Sequence, residues 1–178
     1  MIHVISQGRA LPLAWRVRQG PKGPFPEALH LAVVERIRTG LPAGATVVLL
    51  GDGACDGTAL QATLNEAGWS SGCRTALSTT ATWEGTPWRL ETLGAWSTPG
   101  TRMALQDGQG TRDASGPVRR RWCWAKGEQE PLYGVSTRAA AAEACRSYQK
   151  RFRLETLFSD QKRRGCPIQT SPMSDPQR

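Results

Sequence analysis

The 178-residue sequence is poor in the residues that build disulfide frameworks and zinc sites. It has five dispersed cysteines without a C-x-x-C pair, and its only histidines are His3 and His30. Small disulfide-rich domains and structural zinc sites both need closely spaced ligands, so neither class fits. We therefore predict that every cysteine is a reduced thiol and that some pack in the core: Cys55, Cys73, Cys123, Cys145 and Cys166.

Long apolar runs are also missing. None approaches the roughly 18 residues that a membrane-spanning helix needs. The N-terminal residues lack the basic start and continuous apolar stretch of a secretory signal. The expectation is a cytoplasmic protein without a membrane partner.

Positive charge is abundant. The formal net charge is +8 and the pI is near 9.9, which favours polyanionic partners because cations that bind phosphates release counterions. Seven Lys or Arg residues fall within residues 146–164, and a second cluster, Arg119 to Arg121, is followed by Trp122 and Trp124. For the two tryptophans, stacking on DNA is possible, but packing in an apolar core is the stronger interpretation.

The first part of the chain predicts an α/β domain with a mixed sheet. Apolar residues recur at helical spacing over 27–38, and the continuous run VVLL before Asp52 is typical of a buried strand. A second helix, with Asp56 as a plausible N-cap, is expected to end at Gly68. The predicted elements are strands at 2–5 and 11–17, a helix at 27–38, strand VVLL, a helix at about 57–67 and a strand at 69–75.

From residue 80 the pattern changes. Helical periodicity disappears, glycine and tryptophan recur, and RRRWCWA followed by KGEQ and PLYGVST predicts a hairpin. A long Ala-rich helix follows over about 138–164. We therefore divide the chain into an α/β core at 1–79, a β-rich insertion at 80–137, a helix that completes the core at 138–165 and a tail at 166–178.

One face of this last helix carries a line of chemically active side chains. On a continuous helix, Tyr148, Arg151, Glu155 and Lys162 fall within an arc of about 60°. An ordinary interpretation is a solvated stripe in which Arg151 and Glu155 form an i,i+4 ion pair of a few tenths of a kcal/mol. Phosphoryl transfer, however, also needs such groups together: a carboxylate to hold a metal, and cations and a phenol to hold phosphates.

The spacing Tyr148-x2-Arg151-x3-Glu155-x6-Lys162 resembles the Tyr-Arg-Glu-Lys signature of DDE transposases of the insertion-sequence-four family. RALPLAWRV resembles the family's second and third strands, and VVLLGDGACDGTALQ resembles the strand and turn that bear its second catalytic aspartate. Cys55 stands where the family often has an aromatic residue. The resemblance extends over nearly the whole chain.

The resemblance implies an RNase H-like fold, with Asp52 and Glu155 as catalytic carboxylates that bind Mg²⁺ or Mn²⁺. It also implies that Tyr148, Arg151 and Lys162 contact transposon-end DNA in a prokaryotic, nucleoid-associated protein, with a transposase dimer on the DNA as a possible partner. The family's first aspartate has no counterpart, because Asp52 is the first aspartate in the sequence. We therefore expect a fragment, cut at both ends, that is inactive alone. The gap left by the family's first strand is expected either to close by pairing of 2–5 with 46–50 or to impair folding.

Two alternatives remain open. The protein could be a non-catalytic DNA-binding remnant that inhibits a full-length transposase, which would share the same DNA-binding residues. It could instead be an α/β enzyme that binds a nucleotide at Gly51, Gly53 and Gly57, although this spacing departs from the usual G-x-G-x-x-G pattern.

Overall fold

A computed structural model describes residues 1–17, 25–106, 119–138 and 140–160. It divides into two compact units, one formed by Met1–Ala43 with Lys150–Arg178 and the other by Gly44–Gln149. The described residues contain nine strands and five helices: β1 Ile2–Ser6, β2 Arg9–Ala14, α1 Glu27–Arg38, β3 Val48–Gly51, α2 Thr58–Glu66, β4 Ser70–Arg74, β5 Thr80–Trp83, β6 Thr86–Arg89, α3 Leu90–Ala95, β7 Arg102–Gln106, β8 Arg119–Cys123, β9 Leu132–Ser136, α4 Ala141–Gln149 and α5 Phe152–Asp160.

In the unit that contains both ends of the chain, β1 and β2 form an antiparallel hairpin. Its turn uses two residues of positive φ, Gln7 at 48° and Gly8 at 76°, which is the backbone that tight two-residue hairpins require. Helices α1 and α5 pack against β2. Because 2–5 pairs with this neighbour, the expectation that it pairs with 46–50 is wrong: a two-residue turn makes the local pairing the easier one to close.

The second unit is built on a mixed sheet of five strands in the order β3-β4-β9-β8-β7. Strands β3 and β4 are parallel and joined through α2, while the other neighbours are antiparallel. The β5–β6 hairpin forms a separate two-stranded sheet. The protein is thus a mixed α/β protein, and three strands from the segment 80–137 extend the sheet of β3 and β4.

The core of this second unit lies between the sheet and the segment that contains α3. Its buried cluster consists of Ala81, Leu90, Leu93, Trp122 and Tyr133. Helix α2 buries Leu60 and Leu64, which are 1% and 0% exposed. Trp122 is therefore a core residue, as the stronger interpretation of the sequence held.

Most of the predicted elements are confirmed, with small shifts at their ends. Helix α3, Leu90–Ala95, lies in the segment expected to be β-rich and was not predicted. The single helix expected over 138–164 is wrong because the structure has α4 and α5 separated at Lys150 and Arg151. At the junction, the Arg153 and Leu154 amides donate to the carbonyls of Lys150 and Arg151, at 3.1 and 2.9 Å. These i→i+3 bonds begin a new helix rather than continue the old one.

The prediction of five reduced cysteines is also wrong. Cys123, at the end of β8, and Cys145, in α4, form a disulfide with their Cα atoms 6.4 Å apart. The separation of 22 residues hides this pair in the sequence, since only the packing of α4 on the sheet brings the two together. Cys55 and Cys73 are free thiols, and Cys166 lies outside the described residues. No helix in the described part of the chain is long and apolar enough to cross a membrane.

Candidate functional site

Asp52 lies directly after β3, in the turn that leads towards α2. The side chain is exposed, and its Oδ1 accepts a hydrogen bond from the Ala54 amide at 3.1 Å. The Asp52 carbonyl accepts from the Cys55 amide at 3.0 Å, which closes the turn. Carboxyl ends of parallel strands are where α/β sheets commonly present functional groups. The position predicted from the sequence is therefore suited to a carboxylate that binds a ligand.

A buried amide supports this turn from below. Gln61 is 2% exposed, and its Nε2 donates to the Cys55 carbonyl at 3.0 Å. Its Oε1 accepts from the Ser71 hydroxyl at 2.6 Å, and the Ser71 carbonyl accepts from the Ser136 hydroxyl at 2.5 Å. The turn is thereby connected to β4 and β9. The apolar pattern of α2 does not predict a role for Gln61, and its one signal in the sequence is its place beside the inward-facing Leu60.

Asp56 does not have the capping role expected from the sequence. The N-cap position of α2 is Gly57, without a side-chain hydrogen bond. Asp56 instead accepts from the Thr75 hydroxyl at 2.7 Å, and Thr75 is also 3.0 Å from the Thr79 hydroxyl. The prediction was wrong because a buried threonine just after β4 competes for the carboxylate. This bond ties the segment before α2 to the segment that follows β4.

Two thiols lie at this turn: Cys55 is within it, and Cys73 is on the adjacent strand β4. Burial, and then the negative charge of Asp52, raise the pKa of Cys55 to about 11. Burial raises the pKa of Cys73 to about 12, with the nearby Cys55 as the next cause. Both groups are therefore protonated thiols at neutral pH, which makes them weak nucleophiles.

This raised pKa predicts slow alkylation of Cys55. Two pKa units correspond to about 100-fold less thiolate at pH 7 than in an ordinary cysteine, so reaction with iodoacetamide is expected to slow by about that factor. The rate should rise about tenfold per pH unit up to about pH 11. Peptide mass spectrometry after timed alkylation measures it, with the urea-unfolded chain as the control. A rate that levels off near pH 9 in the folded chain would contradict the prediction.

Arg151 and Glu155 form the ion pair that their spacing predicts. An Arg151 Nη atom donates to a Glu155 carboxylate oxygen at 2.7 Å, and the two side chains are 19% and 57% exposed. An exposed i,i+4 pair stabilises a helix by only a few tenths of a kcal/mol. The Arg151–Glu155 geometry therefore fits an ordinary surface ion pair. It also fits a site where Glu155 releases Arg151 to bind a metal ion.

Tyr148 is buried, whereas a residue that contacts DNA is expected to be exposed. It lies on α4, is 6% exposed, and lines a small cavity together with Cys73, Arg121, Tyr133 and Cys145. Because α4 ends at Gln149, Tyr148 does not share a continuous helical face with Arg151 and Glu155. Lys162 lies outside the described residues.

The predicted site residues are divided between the two units. Asp52 and Tyr148 belong to Gly44–Gln149, whereas Arg151 and Glu155 belong to the other unit. Convergence of the two carboxylates on one metal ion thus stays a prediction. Among the residues that the structure describes, no group of three or more His, Cys, Asp or Glu side chains could hold a metal ion.

Most of the side chains in the Arg119–Arg121 cluster are buried. Arg120 and Arg121 are 9% and 5% exposed. Arg121 donates to the carbonyls of Ser136, Arg138 and Ala140, at 3.2, 2.6 and 3.4 Å. Burial lowers its pKa to about 10, with Arg119 as the next cause. This guanidinium therefore fixes the connection from β9 to α4 and is not available to bind a polyanion.

Gly51, the first of the three glycines considered for nucleotide binding, is the last residue of β3 and has no open space beside its Cα. A Cβ at Gly51 would overlap Cys55 and lie 3.2 Å from the Cys73 sulfur. The space beside Gly51 is thus filled by the protein's own cysteine side chains and not left open for a phosphate. This weakens the nucleotide-binding alternative. In comparisons with known proteins, no family model matches the chain and no curated protein matches it.

Proposed function

We propose that this chain belongs to a DDE transposase of the insertion-sequence-four type, with an RNase H-like arrangement and binding to transposon-end DNA. The observation that carries the proposal is the spacing Tyr148-x2-Arg151-x3-Glu155-x6-Lys162, combined with Asp52 at the carboxyl end of β3. The net charge of +8 supports a polyanionic partner.

In this function Asp52 and Glu155 bind Mg²⁺ or Mn²⁺. Both are exposed carboxylates, and hard oxygen ligands are what these ions prefer. The metal ions supply activation of the attacking oxygen and stabilisation of the leaving oxygen. Arg151 and Lys162 neutralise phosphate charge, and Tyr148 is assigned to the flanking backbone. Since Tyr148 is buried in α4, its contact requires that the end of this helix open on DNA.

Replacement of Arg151 by alanine tests the DNA contact. Loss of one phosphate contact should weaken binding to duplex DNA and lower the slope of log affinity against log salt by about 0.9. Arg38→Ala is the matched control, because Arg38 forms an equally short exposed ion pair with Glu35, at 2.8 Å, on α1. Fluorescence anisotropy over a salt series measures both variants. Equal slopes for the parent, Arg151→Ala and Arg38→Ala would count against the assignment; Lys162→Ala should resemble Arg151→Ala.

The purified 178-residue chain is expected to leave DNA uncut in Mg²⁺ or Mn²⁺. Asp52 and Glu155 lie on separate elements, and two acids on separate elements hold a metal pair weakly. The assay uses supercoiled and linear duplexes that carry candidate transposon ends. Metal-dependent nicking that is lost in both Asp52→Asn and Glu155→Gln would refute inactivity while it supports the transposase assignment.

Iron-directed cleavage of the polypeptide tests the shared metal site directly. Fe²⁺ replaces Mg²⁺, and ascorbate with peroxide generates radicals that cut the backbone near the bound ion. The expected fragments end near residue 52 and near residue 155, and both cuts disappear in either Asp52→Asn or Glu155→Gln. Cuts at only one of the two positions would overturn the proposal that these carboxylates share an ion.

A non-catalytic inhibitor of a full-length transposase is the second candidate, supported by the net charge of +8, which favours a polyanionic partner whether or not the chain cuts it. It predicts the same DNA binding. Addition of the purified chain to an active transposase of the same type, with its end DNA, should then reduce cleavage in proportion to the amount added. Unchanged cleavage at saturating amounts would exclude this role.

A further inference from the structure

Two free cysteines, Cys55 and Cys73, lie next to Gly51, which has no side chain. Cys55, in the turn after β3, is partly buried, and Cys73, in β4, is 1% exposed. Their sulfurs lie 2.9 and 3.2 Å from the position that a Cβ on Gly51 would occupy. Gly51 and Cys73 are also paired in register across the parallel strands β3 and β4. Both sulfurs therefore lie beside Gly51, whose lack of a side chain lets the two cysteines pack next to each other.

We propose that Cys55 and Cys73 form a reversible disulfide when the protein meets a small-molecule disulfide such as oxidised glutathione. A disulfide needs the two sulfurs about 2.05 Å apart, so the Cys55 side chain, which lies in a turn, must rotate to bring its sulfur to that of Cys73. The inference rests on the positions of these sulfurs and is independent of the transposase proposal.

The two thiols have different parts in the reaction. The more accessible Cys55, as thiolate, attacks one sulfur of oxidised glutathione, so that a mixed disulfide forms and one glutathione thiolate leaves. Cys73, after loss of its proton, attacks the Cys55 sulfur and displaces the second glutathione thiolate. Two protein thiols are oxidised and one glutathione disulfide is reduced to two glutathione thiolates, which take up the two protons that the protein thiols lost.

Oxidation has a structural consequence for the turn of Asp52. The new bond would join the turn covalently to β4 and enclose α2 in the resulting loop. The turn is already held to Gln61 by the hydrogen bond from Nε2 to the Cys55 carbonyl, at 3.0 Å. Oxidation thus adds a covalent restraint to the segment that presents the Asp52 carboxylate, and reduction removes it.

The test uses the full chain with Cys166→Ser, so that this thiol does not compete, and oxidised glutathione at pH 9, where thiolate is more abundant. Mass spectrometry should find loss of two hydrogens and a crosslinked peptide joining Cys55 to Cys73, reversed by dithiothreitol. Cys73→Ser should instead retain glutathione on Cys55, and Cys55→Ser should retain none. Hydrogen exchange of residues 52–57 should slow at least tenfold on oxidation.

Other outcomes would overturn the inference. A stable glutathione adduct on Cys55 in the chain that keeps Cys73 means that the second sulfur does not reach it. A crosslink from Cys55 to Cys123 or Cys145 means that exchange with the existing disulfide is preferred. Crosslinking without a change in exchange at 52–57 refutes the restraint on the Asp52 turn.

Discussion

Replacement of Arg121 by alanine is expected to lower the free energy of unfolding by about 4 kcal/mol. The side chain is 5% exposed, and its guanidinium is the shared donor for the carbonyls of Ser136, Arg138 and Ala140. Alanine leaves these acceptors without their charged donor and opens a void beneath α4. Each unsatisfied buried acceptor costs about 1–3 kcal/mol, and partial hydration of the connection offsets part of that cost.

Chemical denaturation at constant Cys123–Cys145 oxidation measures this loss. Arg102→Ala is the control, because Arg102 is an exposed arginine on the neighbouring strand β7, and its loss should change stability by no more than about 0.5 kcal/mol. Arg121→Lys should recover less than half of the stability lost in Arg121→Ala. One ammonium group cannot reach all three carbonyls, which are spread over five residues, whereas the planar guanidinium can. A loss below about 1 kcal/mol for Arg121→Ala would mean that the three bonds contribute little net stability.

The location of the effect is as informative as its size. Hydrogen exchange in Arg121→Ala should accelerate first in the connection from β9 and in α4, before it accelerates in α2 or β3. Uniform acceleration throughout Gly44–Gln149 would indicate a general core defect in place of a loosened α4. In the proposed transposase, such loosening would also move Tyr148, so weaker DNA binding by the folded variant is expected.

The sequence predicted the elements that depend on local patterns. Helix α1 follows from apolar periodicity and the following Gly40, and the β8–β9 hairpin follows from two strand-like runs around a glycine turn. The strand β3 and the exposed position of Asp52 after it follow from a continuous apolar run that ends in a polar turn. In each case the decisive interactions are close in sequence.

What sequence analysis missed depends on tertiary packing. No glycine or proline marks the separation of α4 from α5. The sequence therefore predicts one continuous helix with Tyr148 and Arg151 on the same face. Arginine is usually exposed, and only the carbonyls before α4 explain why Arg121 is buried. The disulfide from Cys123 to Cys145 likewise needs a strand and a helix that the sequence does not show to be neighbours. The position of Asp52 directly after β3 was predictable, whereas the buried Gln61 that supports its turn was not predicted.

Replacement of Gly51 by alanine is expected to cost about 3 kcal/mol, the upper part of the range for overpacking a rigid neighbourhood. The added Cβ would overlap the Cβ of Cys55 and lie 2.9 and 3.2 Å from the sulfurs of Cys55 and Cys73. A Cβ is fixed to its backbone, so a rotamer change cannot relieve the first overlap, and the turn that carries Asp52 must move.

The neighbouring Gly53 supplies a control for this argument, because a Cβ there would meet no atom within 4 Å. Gly53→Ala should change the free energy of unfolding by no more than about 0.5 kcal/mol. If the overlap with the Cβ of Cys55 is the cause, Cys55→Gly in the Gly51→Ala background should restore most of the loss, while Cys55→Ala should restore little because it keeps that Cβ. Urea unfolding measures both variants. An equal loss in the free energy of unfolding for Gly51→Ala and Gly53→Ala would show that the turn is free to move. Its packing against β3 would then not fix the position of Asp52.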